Sequence, residues 1–349
     1  MESWQESFFN RVEGVIWSQW VALGTYMTGQ PCRKSVVDPE ALIAATCSLG
    51  RGNSRIFDEA MDWTALNHEI LKPSRLKYIA KEYGNETTRV IGAFAEYVSK
   101  AAGREVLRGV KEEAGKSLMG NEREELFWIQ KGMFSNREEK ADPLFLHWGF
   151  LRGKPRIREH SGRPDLDNPA NLMIRVRKQY GVGAKADVVT FLLTDKGGSS
   201  RGIAGKIKYN QSSVYRALEE LVDAGVVRKY DQAGWGYYWI DRQEIAKTLD
   251  LENSRPVFFV WADIFRAFYM VMSDFAINGS TDGGSLMDIE RARDLTVRIA
   301  PLLRNAGEPL TRIDIPDIKK RGGTQNIEDL RDFLSRVVST IEAFAVENE

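Results

Sequence analysis

Several scarcities in this chain narrow what it can be. It has two cysteines, Cys32 and Cys47, in apolar or mixed surroundings and without metal-ligand spacing. That excludes a disulfide scaffold and fits a reduced, cytoplasmic compartment, with both thiols expected to pack rather than react. The three histidines, His68, His147 and His160, are too scattered to suggest a zinc site. No apolar run spans a bilayer. The best one, PVFFVWADIFRAFYMVM, is interrupted by Asp263 and Arg266 and reads as a buried helix. The first residues, MESWQESFFNRVEG, lack the basic start and apolar run of a signal peptide. Net charge is also missing, with 49 basic residues against 49 acidic ones. Bulk attraction to nucleic acid is thereby excluded, and any such site must be local. Internal repeats and low-complexity tracts are absent too.

Catalytic patterns are equally sparse. AGKS at 114–117 has the end of a phosphate-binding loop, but the glycine required five residues before Gly115 is Val110, and an amphipathic helix precedes it instead of a strand. Asp165 and Asp167 in DLD fit a turn better than a metal site. No nucleophile–base arrangement emerges. The expectation is a non-enzymatic protein with no cofactor and no metal.

What is present is GIAGKIKYNQSSVYRALEELVDAGVV, residues 202–227. Val214, Ala217, Leu218, Leu221 and Val222 follow the i, i+3, i+4, i+7, i+8 stripe of an amphipathic helix over about 211–224. Asn210 suits its N-cap and Gly225 its left-handed exit. Ile203, Ala204 and Ile207 form a shorter stripe that Ser199 or Ser200 can cap. Two helices separated only by KYN must cross steeply, as in a helix-turn-helix. Upstream, ADVVTFLLT places Val188, Val189, Leu192 and Leu193 on one side of a supporting helix. Downstream, VVRKY and YYWI flank DQAGWG and read as a β-hairpin.

Helix, helix, turn, helix, hairpin over 183–241 resembles the winged helix-turn-helix superfamily of bacterial regulators, most specifically in NQSSVYRALEELVDAGVV. Two departures stand out: Lys208 where the turn often has a small residue, and Gly202 and Gly205 inside the short helix. The resemblance implies that the N-terminal part of helix 211–224 enters the major groove of double-stranded DNA. Gln211 and Arg216 then suit base edges, while Ser212, Ser213 and Tyr215 share the same exposed face. Ser199, Ser200, Arg201, Lys206, Lys208 and Asn210 lie at or before the turn; Arg228, Lys229 and Trp235 lie on the wing. From Lys196 to Leu218 there are five basic residues and no acidic one, whereas Glu219, Glu220 and Asp223 further along favour an end-on approach.

The rest divides by pattern into an N-terminal helical segment (1–150), a basic linker with a short helix (151–182) and a C-terminal helical region (242–349). Asp38 with Pro39 starts one N-terminal helix; PSRLKYIAKEYG gives another, with Arg75, Lys77 and Lys81 outward. ETTRVIGAFAEYVSKAAGREVLRGVKEEAG reads as one long helix. Arg152, Lys154, Arg156, Arg158 and Arg163 either track a phosphate backbone or form a solvated connector. Helical patterns follow at 257–277, 285–305 and 326–345; the last, with Ile327, Leu330, Phe333, Leu334, Val337, Val338 and Ile341, suits a bundle or a homodimer seam. The fold expected is mainly α with one small hairpin. The function expected is a sequence-specific DNA-binding transcriptional regulator. The rival is a protein-interaction module, such as an antitoxin or defence-system component, that holds a protein partner.

Overall fold

Pro39 to Ser48 begins as the sequence suggests, with Asp38 accepting a hydrogen bond from the Ala41 amide (3.1 Å) and proline at the first helical position. All ten residues of this helix are buried, so it forms the axis of the molecule. A computed structural model describes residues 3–118, 123–128, 138–232, 235–243, 245, 256–278, 285–316 and 325–345. It is mainly helical. Around α2 (Pro39–Ser48) pack α1 (Trp4–Ala22), α3 (Ser54–Asn67), α4 (Pro73–Ala80) and α5 (Asn85–Ala101). Next come α6 (Arg108–Gly115), a parallel pair β1 (Glu124–Glu125) and β2 (Phe150–Leu151), and α7 (Pro143–His147) between them in the chain.

The long helix expected over 86–115 is two. α5 stops at Ala101, Gly103 takes φ +66° in the left-handed region, and α6 folds back onto α5. Periodicity alone did not reveal the break, because Val110 and Ala114 of α6 are buried as a continued stripe requires. AGKS ends α6, so its backbone lies at a helix C-terminus, the wrong pole for phosphate. Asp165 accepts from the Asp167 amide (3.0 Å), a turn within DLD.

The chain continues through a loop to α8 (Leu172–Tyr180), α9 (Ala184–Thr194), α10 (Ser200–Ile207), α11 (Gln211–Asp223), and strands β3 (Arg228–Gln232) and β4 (Trp235–Trp239). α12 (Trp261–Asn278), α13 (Leu286–Arg304), the single turn α14 (Glu308–Thr311) and α15 (Gln325–Ala345) complete it. α12 packs on α2, and α15 packs on α1 and α13. The helices before residue 150 and those after 260 therefore share one continuous core. The stripe on α15 is buried inside this chain, with Arg11 reaching Glu342 (2.6 Å) and Trp4 donating to Ser335 (3.1 Å). A second core holds α8 to α11 and the hairpin, joined by Val36, Phe258 and Val260 from the body. No helix among the described residues is long and apolar enough to cross a membrane.

Candidate nucleic-acid interface

α10 begins at Ser199, whose hydroxyl accepts from the Gly202 amide (3.2 Å), and buries Ile203, Ala204 and Ile207. α11 begins at Asn210, whose side-chain oxygen accepts from the Ser213 amide (2.8 Å) and the Ser212 hydroxyl (2.8 Å). Val214, Ala217, Leu218 and Leu221 are buried, and Val222 is half-buried. Beneath them α9 is buried on every side from Ala186 to Leu193, not along one stripe as its pattern suggested.

The hairpin pairs Arg228 with Trp239, Lys229 with Tyr238 and Tyr230 with Tyr237, and extends to Gln232 opposite Trp235. Most of the expected loop DQAGWG is thus strand; Ala233 and Gly234 lie outside the described residues, as does the side chain of Trp235. β4 also pairs with the connection between α9 and α10: Gly198 and Tyr238 exchange backbone hydrogen bonds of 3.0 and 2.9 Å. Gly197 beside it has φ +107°, and a Cβ there would stand 2.3 Å from the Tyr238 carbonyl oxygen. Only glycine fits that approach.

Outward from this frame point Arg201, Gln211, Ser212, Tyr215 and Arg216, all exposed, with Ser199, Ser200 and Ser213 half-buried beside them and Arg228 exposed on β3. Arg201 lies 3.4 Å from the Gln211 side-chain oxygen. Neither Arg216 nor Arg228 has an ion pair among the described residues. The nearby acids are largely occupied. Glu219 accepts from the Tyr238 hydroxyl (2.7 Å) and from Lys229 (3.2 Å), contacts that hold its carboxyl below the usual range. Burial and Glu219 push the Tyr238 phenol up to about 12. Glu220 pairs with Lys185, while Asp223 stays exposed.

Three of the basic residues expected on this surface are spent within the chain. Lys206 is half-buried, bonded to Asp195 (2.9 Å) and set over the Phe191 ring. Lys229 is held by Glu219 and Asp231. Lys208 is buried, with its amine 2.5 Å from Asp263 of α12 and 3.6 Å from Glu82. It points into the body, away from the face of α11, and cannot touch DNA there. Its backbone is left-handed, φ 56° and ψ 56°, the conformation the turn needs and a residue with a Cβ adopts at a cost. Asp263, which interrupts the apolar run of α12, is the anchor.

The residues that sequence reasoning missed lie behind this turn. Arg75 of α4, expected to face solvent, is buried; it donates to the Ile207 carbonyl (2.8 Å), Asp38 (2.6 Å) and Glu40 (2.7 Å). Arg177 of α8 binds Glu40 (2.7 and 2.9 Å) and Asp187 (two bonds of 2.8 Å), and Tyr209 donates to Asp187 (2.8 Å). Burial opposes ionisation of Asp187, but Arg177 overcomes it and the carboxyl ends below its ordinary range. This closed network fixes the turn between α10 and α11 to the body. A signal was available: Glu40, Arg177 and Asp187 sit in helices where periodicity demands apolar residues. Among the described residues no group of three or more His, Cys, Asp or Glu side chains could hold a metal ion. No protein-family model, curated protein or solved structure matches this chain.

Proposed function

We propose that residues 183–241 act as a winged helix-turn-helix that binds double-stranded DNA, with the first half of α11 in the major groove, and that the protein is a sequence-specific transcriptional regulator. The observation that carries this reading is the exposed edge formed by Arg201, Gln211, Ser212, Tyr215 and Arg216, in which Arg216 has no ion-pair partner among the described residues. Arginine and glutamine present the paired donors and acceptors that read guanine and adenine edges. Arg228 on the first wing strand stands ready for phosphate. The backbone pairing of Gly198 with Tyr238 supports the reading as well, since it braces the hairpin against the start of α10.

The test is selection of bound fragments from genomic DNA with the full chain, followed by titration of the enriched site. Arg216→Ala should cost about 1–3 kcal/mol of specific binding, as a lost base contact does. Arg228→Ala should weaken all sequences alike and flatten the salt dependence by about one unit of slope. A flat wild-type titration at low salt, across the whole pool, would end the proposal.

A second reading is favoured by the same surface. Tyr215, Tyr230 and Tyr237 are exposed at 48, 57 and 43 %, and tyrosine beside arginine is the composition of protein-binding hot spots. Here the segment holds a protein partner, as an antitoxin or defence-system component would. Tyr230→Ala and Tyr215→Ala would then abolish capture of the product of a neighbouring gene while DNA retention stays at background.

A further inference from the structure

A second concentration of positive charge lies outside residues 184–239. The start of α3 and the segment after β2 wall a cavity of about 550 Å³, within the range typical of small-molecule sites. Its lining includes Arg55, Arg152, Lys154, Arg156 and Arg158 against one carboxylate, Asp58. That carboxylate is already used: one oxygen takes Arg152 Nη2 (2.8 Å) and the other the Arg156 amide (2.8 Å). Arg158 is paired with Glu59 (3.1 Å), outside the lining. The side chains of Lys154 and Arg156 are exposed and have no ion-pair partner among the described residues.

Arg152 is the unusual member. It is 3 % exposed, and its guanidinium carbon lies 4.7 Å from the ring centre of Phe145 and 5.0 Å from that of Phe127. Nε donates to the Gly153 carbonyl (2.9 Å) and Nη2 to Asp58, but Nη1 is buried with no partner. Arg55, set over the Trp17 ring, likewise has a buried Nε without one. Both nitrogen atoms are closed to solvent, so these guanidinium groups supply buried positive charge beside the cavity, and the open side chains make the contacts with an anion. The positive end of α3 adds to the field; Asn53 already takes the Arg55 and Ile56 amides (3.0 and 3.3 Å), so the side chains must supply the contacts.

We propose that this cavity binds a phosphate-bearing small molecule, its phosphate taken by Lys154 and Arg156, with the buried charge of Arg152 behind them. A phosphate suits it better than a carboxylate, because it carries more charge and matches the arginine fork. A duplex backbone suits it less, because the site is a cavity and a duplex presents a convex surface. The inference is independent of the DNA reading.

Calorimetric titration of the full chain with inorganic phosphate, pyrophosphate, adenosine monophosphate and adenosine triphosphate tests it, with adenosine as the uncharged control. The expected result is saturable binding of at least one phosphate compound, and none of adenosine, persisting at about 0.15 M salt, where surface attraction is screened. Lys154→Ala and Arg156→Ala should each weaken it about tenfold, as loss of a charge-assisted hydrogen bond does. Neither should move the melting temperature, since both side chains are exposed. Arg216→Ala should leave phosphate binding intact. The proposal is overturned if no phosphate compound binds saturably, or if the Lys154→Ala/Arg156→Ala double variant binds like the wild type. It is overturned equally if that double variant loses DNA retention while none of the small phosphates binds.

Discussion

Arg216 on α11 and Arg177 on α8 carry the same guanidinium in surroundings that differ in every other respect. Arg216 is exposed and has no ion pair among the described residues; Arg177 is buried, and all three of its nitrogens donate to Glu40, Asp187 or the Ile70 carbonyl. The same division runs through α10 and the turn after it, where Lys208 is enclosed and Arg201 is open. A basic stretch in the sequence is therefore two populations. One set is satisfied inside and holds the segment to the body; the other is left exposed to solvent. Sorting them needs distances, because charge count treats them alike.

The difference can be broken most forcefully at Arg177. Arg177→Met strands Glu40 and Asp187 with one cation fewer, and loss of one partner from a buried pair costs about 3–5 kcal/mol. Denaturant unfolding followed by tryptophan fluorescence should show that loss; a shift below about 1 kcal/mol would mean the network is incidental. Next comes Tyr209→Phe, which removes the hydroxyl from Asp187 and should cost about 1.5–3 kcal/mol, the range for a hydrogen bond to a charged group.

That variant also has a pH signature. Asp187 titrates below its ordinary value in the folded protein, so its contribution is complete above about pH 4 and is lost as pH falls through the depressed value. Removing the Tyr209 hydroxyl raises that value, so the acid-unfolding midpoint should move to higher pH. An unmoved midpoint would show that Asp187 does not govern this transition.

A smaller effect sharpens the role of the turn. Lys208→Ala loses the amine contact with Asp263 and keeps a left-handed residue with a Cβ, whereas Lys208→Gly loses the contact and relieves the backbone. The glycine variant should be the more stable of the two by about 1–2 kcal/mol in thermal melts. Equal stability would place the strain elsewhere. The smallest effect belongs to Arg216→Ala, which should alter stability by no more than about 0.5 kcal/mol because nothing in the core leans on it.

Local rules carried much of the architecture. The α11 stripe, the Asn210 cap, the hairpin, and the Asp38–Pro39 start could all be read within a few residues of themselves. The failures share a cause. Arg75 looked solvent-facing because its partners Asp38, Glu40 and the Ile207 carbonyl are far away in the chain. Lys208 looked like part of the DNA-facing basic patch because Asp263 is 55 residues on. At Gly103 the apolar spacing persisted across a break, so a single left-handed residue was all that marked it. The exposed candidates, Gln211, Ser212, Tyr215 and Arg216, were legible because a helical stripe defines its own outer face. The cavity at Arg152 was visible only as a basic run, since its far wall is the start of α3, about a hundred residues earlier.

The meeting of α1 with α15 has a consequence for order of assembly. As the chain leaves the ribosome, the segment 184–239 is complete long before α15 exists, and most of its own core is local. The body cannot close until α12, α13 and α15 arrive, because its core draws on all three. Non-local closure of this kind is slow, and apolar surface stays uncovered while it waits. Removing α15 should therefore leave the face of α1 that meets it, the one carrying Trp4 and Arg11, as a site for chaperones and for aggregation, even where α9 to α11 are already folded.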